Sequence, residues 1–307
     1  MEITNLSIQL KNRKRKNWNT LRGWLFISPV VLGILFFTIF PMLFSFVFSF
    51  SDYSVLEPIS KWGFFNYINA FAKDLSVTVK SLGVTLGYTV ISVPIMIVLG
   101  FFLALLLNNR MVKGLGIYRT LLYSTSLLPA IVSNMLWLDL TDQRRGTFSY
   151  ILQKIGINYP FFMSNSTALP SFFIMNLFSI GGGIVLWMVQ FSSLDKSLYE
   201  SAALDGAGFW KKTFAITIPL CTPMIYYQLL VNSIATIQTF SSVMLLLKPN
   251  INSDALNFFV VRIYGVAFNE YSLGYACALS WILFVIIGII SLVMIKTSKW
   301  VFYGEES

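Results

Sequence analysis

The chain contains no histidine, only two cysteines, and few charges for its length: 35 of 307 residues, or 11%. Without histidine it cannot build a zinc-protease helix motif, a Ser-His-Asp triad or a histidine proton relay from its own residues. No phosphate-binding loop is present either. The nearest approach, Gly206-Ala207-Gly208-Phe209-Trp210-Lys211-Lys212-Thr213, lacks the glycine that must precede the lysine, so no nucleotide site is expected in this chain. Cys221 and Cys277 lie far apart in apolar sequence, where a thiol acts as a small hydrophobe, and no Cys-x-x-Cys pair exists. A soluble protein usually carries about 25% charged residues to cover its surface. The shortage here excludes that class.

What the chain has instead is long apolar sequence. Six stretches carry no charge at all: Trp24–Ser51, Leu82–Leu107, Thr120–Leu138, Leu169–Leu194, Pro219–Leu247 and Tyr271–Ile295. A transmembrane helix needs about 20 mainly apolar residues to cross a hydrocarbon core about 30 Å thick, so each stretch is long enough to span. The sequence therefore predicts an all-α polytopic membrane protein with six transmembrane helices. Pro29, Pro41, Pro94, Pro129 and Pro223 fall within the spans, and Pro170 and Pro219 at their edges. Each frees a backbone carbonyl that neighbouring helices must satisfy, which points to a packed bundle rather than separate anchors.

Alternating the spans assigns the remaining cations to two sides. One side holds Lys11, Arg13, Lys14, Arg15, Lys16, Arg22, Arg110, Lys113, Arg119, Lys196, Lys211, Lys212, Lys296 and Lys299, leaving eight opposite. By the positive-inside rule the side with fourteen is cytoplasmic, with both termini inside. The division expected is a basic cytoplasmic segment at 1–23, a six-helix membrane domain at 24–295 with a cytoplasmic loop at 195–218, and a cytoplasmic tail at 296–307. The basic run from Lys11 to Arg22 reads as a topology signal that touches anionic lipid headgroups; no folded domain surrounds it to suggest nucleic-acid binding. The first apolar stretch is too long, and lacks the small-residue pattern, for a cleaved signal peptide.

The fourth loop, Asp195–Ile218, is unusual for a connection between spans. Six of the eight residues from Ser201 to Gly208 are Ser, Ala or Gly. A helix with such a surface, ended by glycine, lets another protein approach its backbone closely. Taken on residue chemistry alone, it can equally be an ordinary helix-turn-helix on the membrane surface. The run Tyr199-Glu200-Ser201-Ala202-Ala203-Leu204-Asp205-Gly206-Ala207-Gly208, followed by Ile216-Thr217-Ile218-Pro219, resembles the EAA motif of permease subunits in bacterial ATP-binding-cassette (ABC) importers. That motif is Glu-Ala-Ala, three residues, Gly, nine residues and Ile-x-Leu-Pro; Glu200, Ala202, Gly206, Ile216 and Pro219 match in register. Ser201 and Ile218 depart from it with side chains of similar size.

The resemblance extends over nearly the whole chain. Tyr118-Arg119-Thr120-Leu121-Leu122 ahead of Leu128-Pro129, Ser179-Ile180-Gly181-Gly182-Gly183, Gln238-Thr239-Phe240 and Gly274-Tyr275-Ala276 are similar to the carbohydrate-uptake branch. The closing Lys299-Trp300-Val301-Phe302-Tyr303 is similar to the first permease subunit of the maltose and glycerol-3-phosphate type. Phe178, where relatives often have Trp, and Lys248-Pro249-Asn250, where a Gly-Gly-Pro turn is common, bear on the substrate rather than on the subunit class. The resemblance implies the type I importer permease fold, a second homologous permease, two ATPase subunits that carry ATP and Mg, and an extracytoplasmic solute-binding protein. It also implies that Glu200, Ser201, Ala202, Asp205, Gly206 and Ala207 meet the ATPase, with no cofactor held by this chain.

Two helical stripes of polar residues offer a route for a sugar. Asn176, Ser179, Gly183, Trp187 and Gln190 share one face of the fourth span, and Gln228, Asn232, Thr236, Thr239 and Ser242 one face of the fifth. Amides pair with hydroxyls, and Trp187 or Tyr275 can stack on a sugar ring. The same residues also suit helix packing, and both readings stand at this level. The lack of an intramembrane cation favours a neutral sugar over a phosphorylated one. The rival classes are an ion-coupled transporter or channel acting alone, which would need an intramembrane coupling site such as a carboxylate, and a membrane-embedded enzyme.

Overall fold

A computed structural model describes residues 22–108, 114–247 and 254–301. The cations Lys11 to Lys16, Arg110, Lys113, the Lys248–Asn250 segment and the end of the tail lie outside the described residues. Among those described, helices account for nearly all regular structure; the pairing of Ser51 with Trp62 is an isolated bridge.

Span one is α1 (Arg22–Phe48), and none of its most apolar window is buried within this chain. It widens to a π-helical turn at Leu35–Ile39, just ahead of Pro41, whose ring supplies no N–H to the regular ladder. A short helix, α2 (Phe65–Phe71), precedes α3 (Leu75–Asn108). At 1.5 Å per residue α3 is about 50 Å long, well beyond the hydrocarbon thickness. It is the central pillar: α8 and α11 pack along it most extensively. Its buried flank is rich in hydroxyls, and Thr85 and Thr89 each donate to a carbonyl four residues back within the helix.

The next three spans are each a pair of helices joined at a bend, so that the six expected spans are met by three long helices and three bent pairs. The third is α4 (Leu115–Ser126) and α5 (Ala130–Leu140), bent by 99°; the sixth span, α14 (Leu273–Lys296), has no such break. Pro129 causes the third-span break, since a residue before proline is pushed out of the helical region and the proline itself donates no hydrogen bond. A short α6 (Thr147–Lys154) follows. The fourth span is α7 (Asn165–Leu177) and α8 (Gly181–Ser193), bent by 45°. After it come α9 (Lys196–Leu204) and the fifth span, α10 (Phe209–Leu220) with α11 (Thr222–Ile237), bent by 64° at Cys221 between Pro219 and Pro223. Two short helices, α12 (Ser241–Leu246) and α13 (Phe259–Asn269), lie between spans five and six.

Three apolar clusters hold these pieces. Tyr88, Trp137, Phe172, Val243, Leu246 and Phe258 join α3, α5, α7 and α12. Ile237, Phe259, Val266, Leu279 and Leu283 seat α13 against spans five and six. Val93, Phe101, Ile184, Trp187, Phe191 and Cys221 tie α3 to α8 and to the fifth-span break.

Candidate functional site

The breaks of spans three and four face one another. Between them lies a cavity of about 240 Å³ lined by Thr125, Ser126, Leu128, Ala130, Ser133, Asn134, Met175, Asn176, Ser179 and Ser242. Seven of those ten side chains are hydroxyls or amides, in a bundle whose other clusters are apolar. Gly181 allows the approach: a Cβ there would overlap the Leu122 carbonyl oxygen, so only glycine lets α8 start against α4.

The donors and acceptors are set by local bonds. Thr125 and Ser126 donate their hydroxyls to the carbonyls of Leu122 and Tyr123 at 2.8 and 2.7 Å, which leaves oxygen lone pairs as acceptors. Asn176 donates to the Tyr88 hydroxyl at 3.1 Å and to the Phe172 carbonyl at 2.9 Å, which fixes its amide plane. Asn134 is 2% exposed, and its Nδ2 has no hydrogen-bond partner among the described residues. A buried amide donor left unmade costs about 1–3 kcal/mol, so this position favours a ligand oxygen or water. Accepting hydroxyls and a free amide donor together suit a group that both donates and accepts, as a sugar hydroxyl does.

Of the residues singled out in the sequence, Asn176, Ser179 and Ser242 meet at this cavity. The others do not. Trp187 is 1% exposed, edge-on to Phe101 at 5.1 Å and stacked on Phe191 at 6.0 Å, so its indole is enclosed in the core. Tyr275 donates to Asp74 Oδ2 at 2.9 Å, and Arg262 bonds the same oxygen at 3.1 Å; its ring is held in a network joining α3's start, α13 and span six. Neither ring lines the polar cavity. Gln228 is buried beside Gly183, with Nε2 unpartnered among the described residues. Asn232, exposed, and Thr236, half-buried, lie on α11, and Thr239, half-buried, just after its end; none lines the cavity. Gln190 is half-buried on α8. The third-span contribution of Thr125, Ser126, Ser133 and Asn134 was missed; the hydroxyl run Ser124–Ser126 before Leu128-Pro129 is the signal that marks it.

After the fourth span the 195–218 loop folds as a capped helix and a second helix leading into span five. Asp195 caps α9 by accepting the Ser197 N–H at 2.9 Å, and that bond holds its carboxyl below the usual carboxylate range. At the other end Gly206 has φ +74°, the Gly206 N–H bonds the Ala203 carbonyl at 3.1 Å, and the Ala207 N–H bonds the Ala202 carbonyl at 2.9 Å. This is a Schellman termination, and the left-handed residue it needs is Gly206. Glu200, Ser201, Asp205 and Gly206 are exposed, Ala202 and Ala207 half-buried, and Leu204 is 91% exposed at the tip. No residue of α9 is buried. It is tied inward by the Tyr199 hydroxyl at 2.9 Å from Thr217 Oγ1, beside a cavity of about 360 Å³ that includes Asn108, Phe191 and Lys196. Burial pushes the Tyr199 phenol above its ordinary value.

No protein-family model matches the chain. Whole-length relatives do: the probable ABC transporter permease protein YesP of Bacillus subtilis is 30% identical over 303 residues, covering 97% of each chain. The chain belongs to the permease proteins of ABC transporters. The arabinooligosaccharide permease AraP of Bacillus subtilis is 29% identical over 93% of each chain, and the multiple-sugar permease MsmF of Streptococcus mutans 27% over 93% of this chain and 98% of that protein. A solved structure described as a bacterial ABC transporter importing the acidic polysaccharide alginate superposes with a TM-score of 0.83, at 21% identity, over 94% of this permease and all of that chain. That likeness establishes the shared fold.

Proposed function

We propose that this permease subunit carries a neutral sugar or oligosaccharide inward through the polar cavity at the breaks of spans three and four. A cavity of about 240 Å³ is smaller than the roughly 300–1,000 Å³ of a typical ligand pocket, so it suits one wall of a path that a second, homologous permease completes. An extracytoplasmic binding protein delivers the sugar, and two cytoplasmic ATPase subunits, which hold ATP and Mg, drive the cycle. The α9 helix is the contact: closure of the ATPases displaces its Glu200–Ala207 surface, and the α10 that follows transmits the shift to the bend at Cys221. Both termini and α9 are then cytoplasmic, in agreement with the cation count.

The observation that carries the substrate reading is the partnerless Asn134 amide in a cavity ringed by hydroxyls and lacking any charge. The test is uptake of labelled oligosaccharides by vesicles containing the full transporter, with Asn134→Leu and Asn176→Leu compared to the parent. Each lost hydrogen bond to sugar should cost about 1–3 kcal/mol, roughly a 5- to 150-fold loss in transport efficiency, with assembly intact. Unimpaired uptake by both variants would refute the pathway.

A further inference from the structure

The short helix α2 joins spans one and two on the side of the chain opposite α9, and its two faces differ sharply in surroundings. Asn66, buried, donates its amide to the carbonyls of Ser49 and Ser51 at 2.9 and 2.8 Å, and Tyr67 OH lies 2.8 Å from Ser49 Oγ. Ala70 is fully buried in the cluster with Phe259 and Leu279. These anchors fix both the rotation and the depth of α2. Its partners are the last residues of span one and an early turn of span six, so the helix lies beside the ends of the spans rather than above them.

The face turned away from those anchors carries Phe64, Ile68 and Phe71, spaced 4 and 3 apart and exposed at 67, 61 and 57%. The stripe is not isolated. Phe64 meets Phe50 edge-on at 5.1 Å, and Phe50 meets Phe46 at 5.2 Å, leading onto α1, whose apolar window has no buried residue. Exposed Trp62 stands at the start of the segment, and Lys61 and Lys73 flank it. An apolar stripe at the end level of a span, continuous with the span's open surface and bordered by tryptophan and lysine, is the composition of a membrane interface.

We infer that α2 is an interfacial helix, seated with Phe64, Ile68 and Phe71 in the acyl-headgroup boundary of the leaflet opposite α9. Its occupant is phospholipid. The inference requires only that the chain crosses a bilayer, and it is independent of the sugar pathway. Seated there, α2 holds the start of α3 at a set depth through the Asn66 and Ala70 anchors.

Spin labels decide the matter on the full-length chain in nanodiscs of phosphatidylcholine and phosphatidylglycerol. Phe64→Cys, Ile68→Cys and Phe71→Cys are compared with Glu57→Cys on the neighbouring exposed loop, and the unsubstituted chain gives the background from Cys221 and Cys277. The expected result is that the three stripe labels relax faster with oxygen than with a water-soluble nickel chelate, while the Glu57 label does the reverse. Preferential relaxation of the stripe labels by nickel, or shielding from both reagents as under a protein partner, would overturn the assignment. A label-free measurement covers variants that do not fold: the fluorescence difference between the parent chain and Trp62→Phe should lose intensity in dibrominated phosphatidylcholine. Absence of that loss overturns it equally.

Discussion

Replacing Gly181 by alanine tests whether the polar cavity depends on backbone contact between spans three and four. The new Cβ would overlap the Leu122 carbonyl oxygen and sit 3.0 Å from the Leu122 carbonyl carbon and 3.2 Å from Thr125 Oγ1. Most of this obstacle is backbone in the middle of α4, which cannot swing aside as a side chain would. Overpacking of this kind costs about 1–3 kcal/mol, and an immovable neighbour puts Gly181 at the upper end. Alanine regains about 1 kcal/mol of helix propensity, leaving a net loss near 2 kcal/mol, a roughly 30-fold shift in the folding equilibrium. The adjacent glycines are internal controls. At Gly182 the added Cβ would meet Ser126 Cβ at 3.8 Å, and at Gly183 the Gln228 Oε1 at 3.8 Å, both ordinary contacts. Gly182→Ala and Gly183→Ala should therefore match or exceed the parent when the monodisperse fraction is measured after heating, and Gly181→Ala should fall below it. Equal behaviour of all three would refute the claim that close approach at Gly181 forms the cavity wall.

Three other outcomes are expected. Gly206→Val places a β-branched residue in the left-handed region at a cost of about 1–2 kcal/mol, and Glu200→Lys reverses an exposed charge; each should abolish co-purification of the ATPase and binding-protein-stimulated ATP hydrolysis, and unchanged values for both would remove α9 from the coupling role. Because the Asp195 carboxyl is held below its ordinary range, its cap is fully present above that range and is lost as pH falls through the lowered value; a spin label at Leu204→Cys should keep constant mobility from pH 7 to about 5 and loosen only below about 4, whereas Asp195→Asn should show no such step. Membrane-impermeant thiol reagents should modify Glu57→Cys from outside intact cells and leave Asn5→Cys and Glu305→Cys unmodified; labelling of either terminus from outside would reverse the topology.

What the residues determine without any fold is governed by solvation and by short-range pattern. Lipid cannot solvate charge, so charge-free stretches declare the spans wherever the chain goes, and the glycine ending of α9 is legible because the left-handed residue that ends a helix is read locally at Gly206. The Glu200–Pro219 run is contiguous in the chain, so its motif too is read locally. The cavity is not. Polar periodicity identifies a helix face without saying what that face meets, and Trp187, Gln228 and Asn176 look alike on a helical wheel. The bends decide among them: the 99° turn at Pro129 swings Asn134 toward Asn176, and the absence of a side chain at Gly181 lets α8 start against Leu122. Trp187, two turns further along α8, is thereby committed to the core against Phe101. Tyr275 is settled by a residue about two hundred positions earlier, Asp74, which no local pattern could have paired with it. Those outcomes depend on which backbones approach within van der Waals distance, and that is a property of the assembled bundle, because close packing in a bilayer is set by the mutual fit of helices and not by the polarity of any one of them.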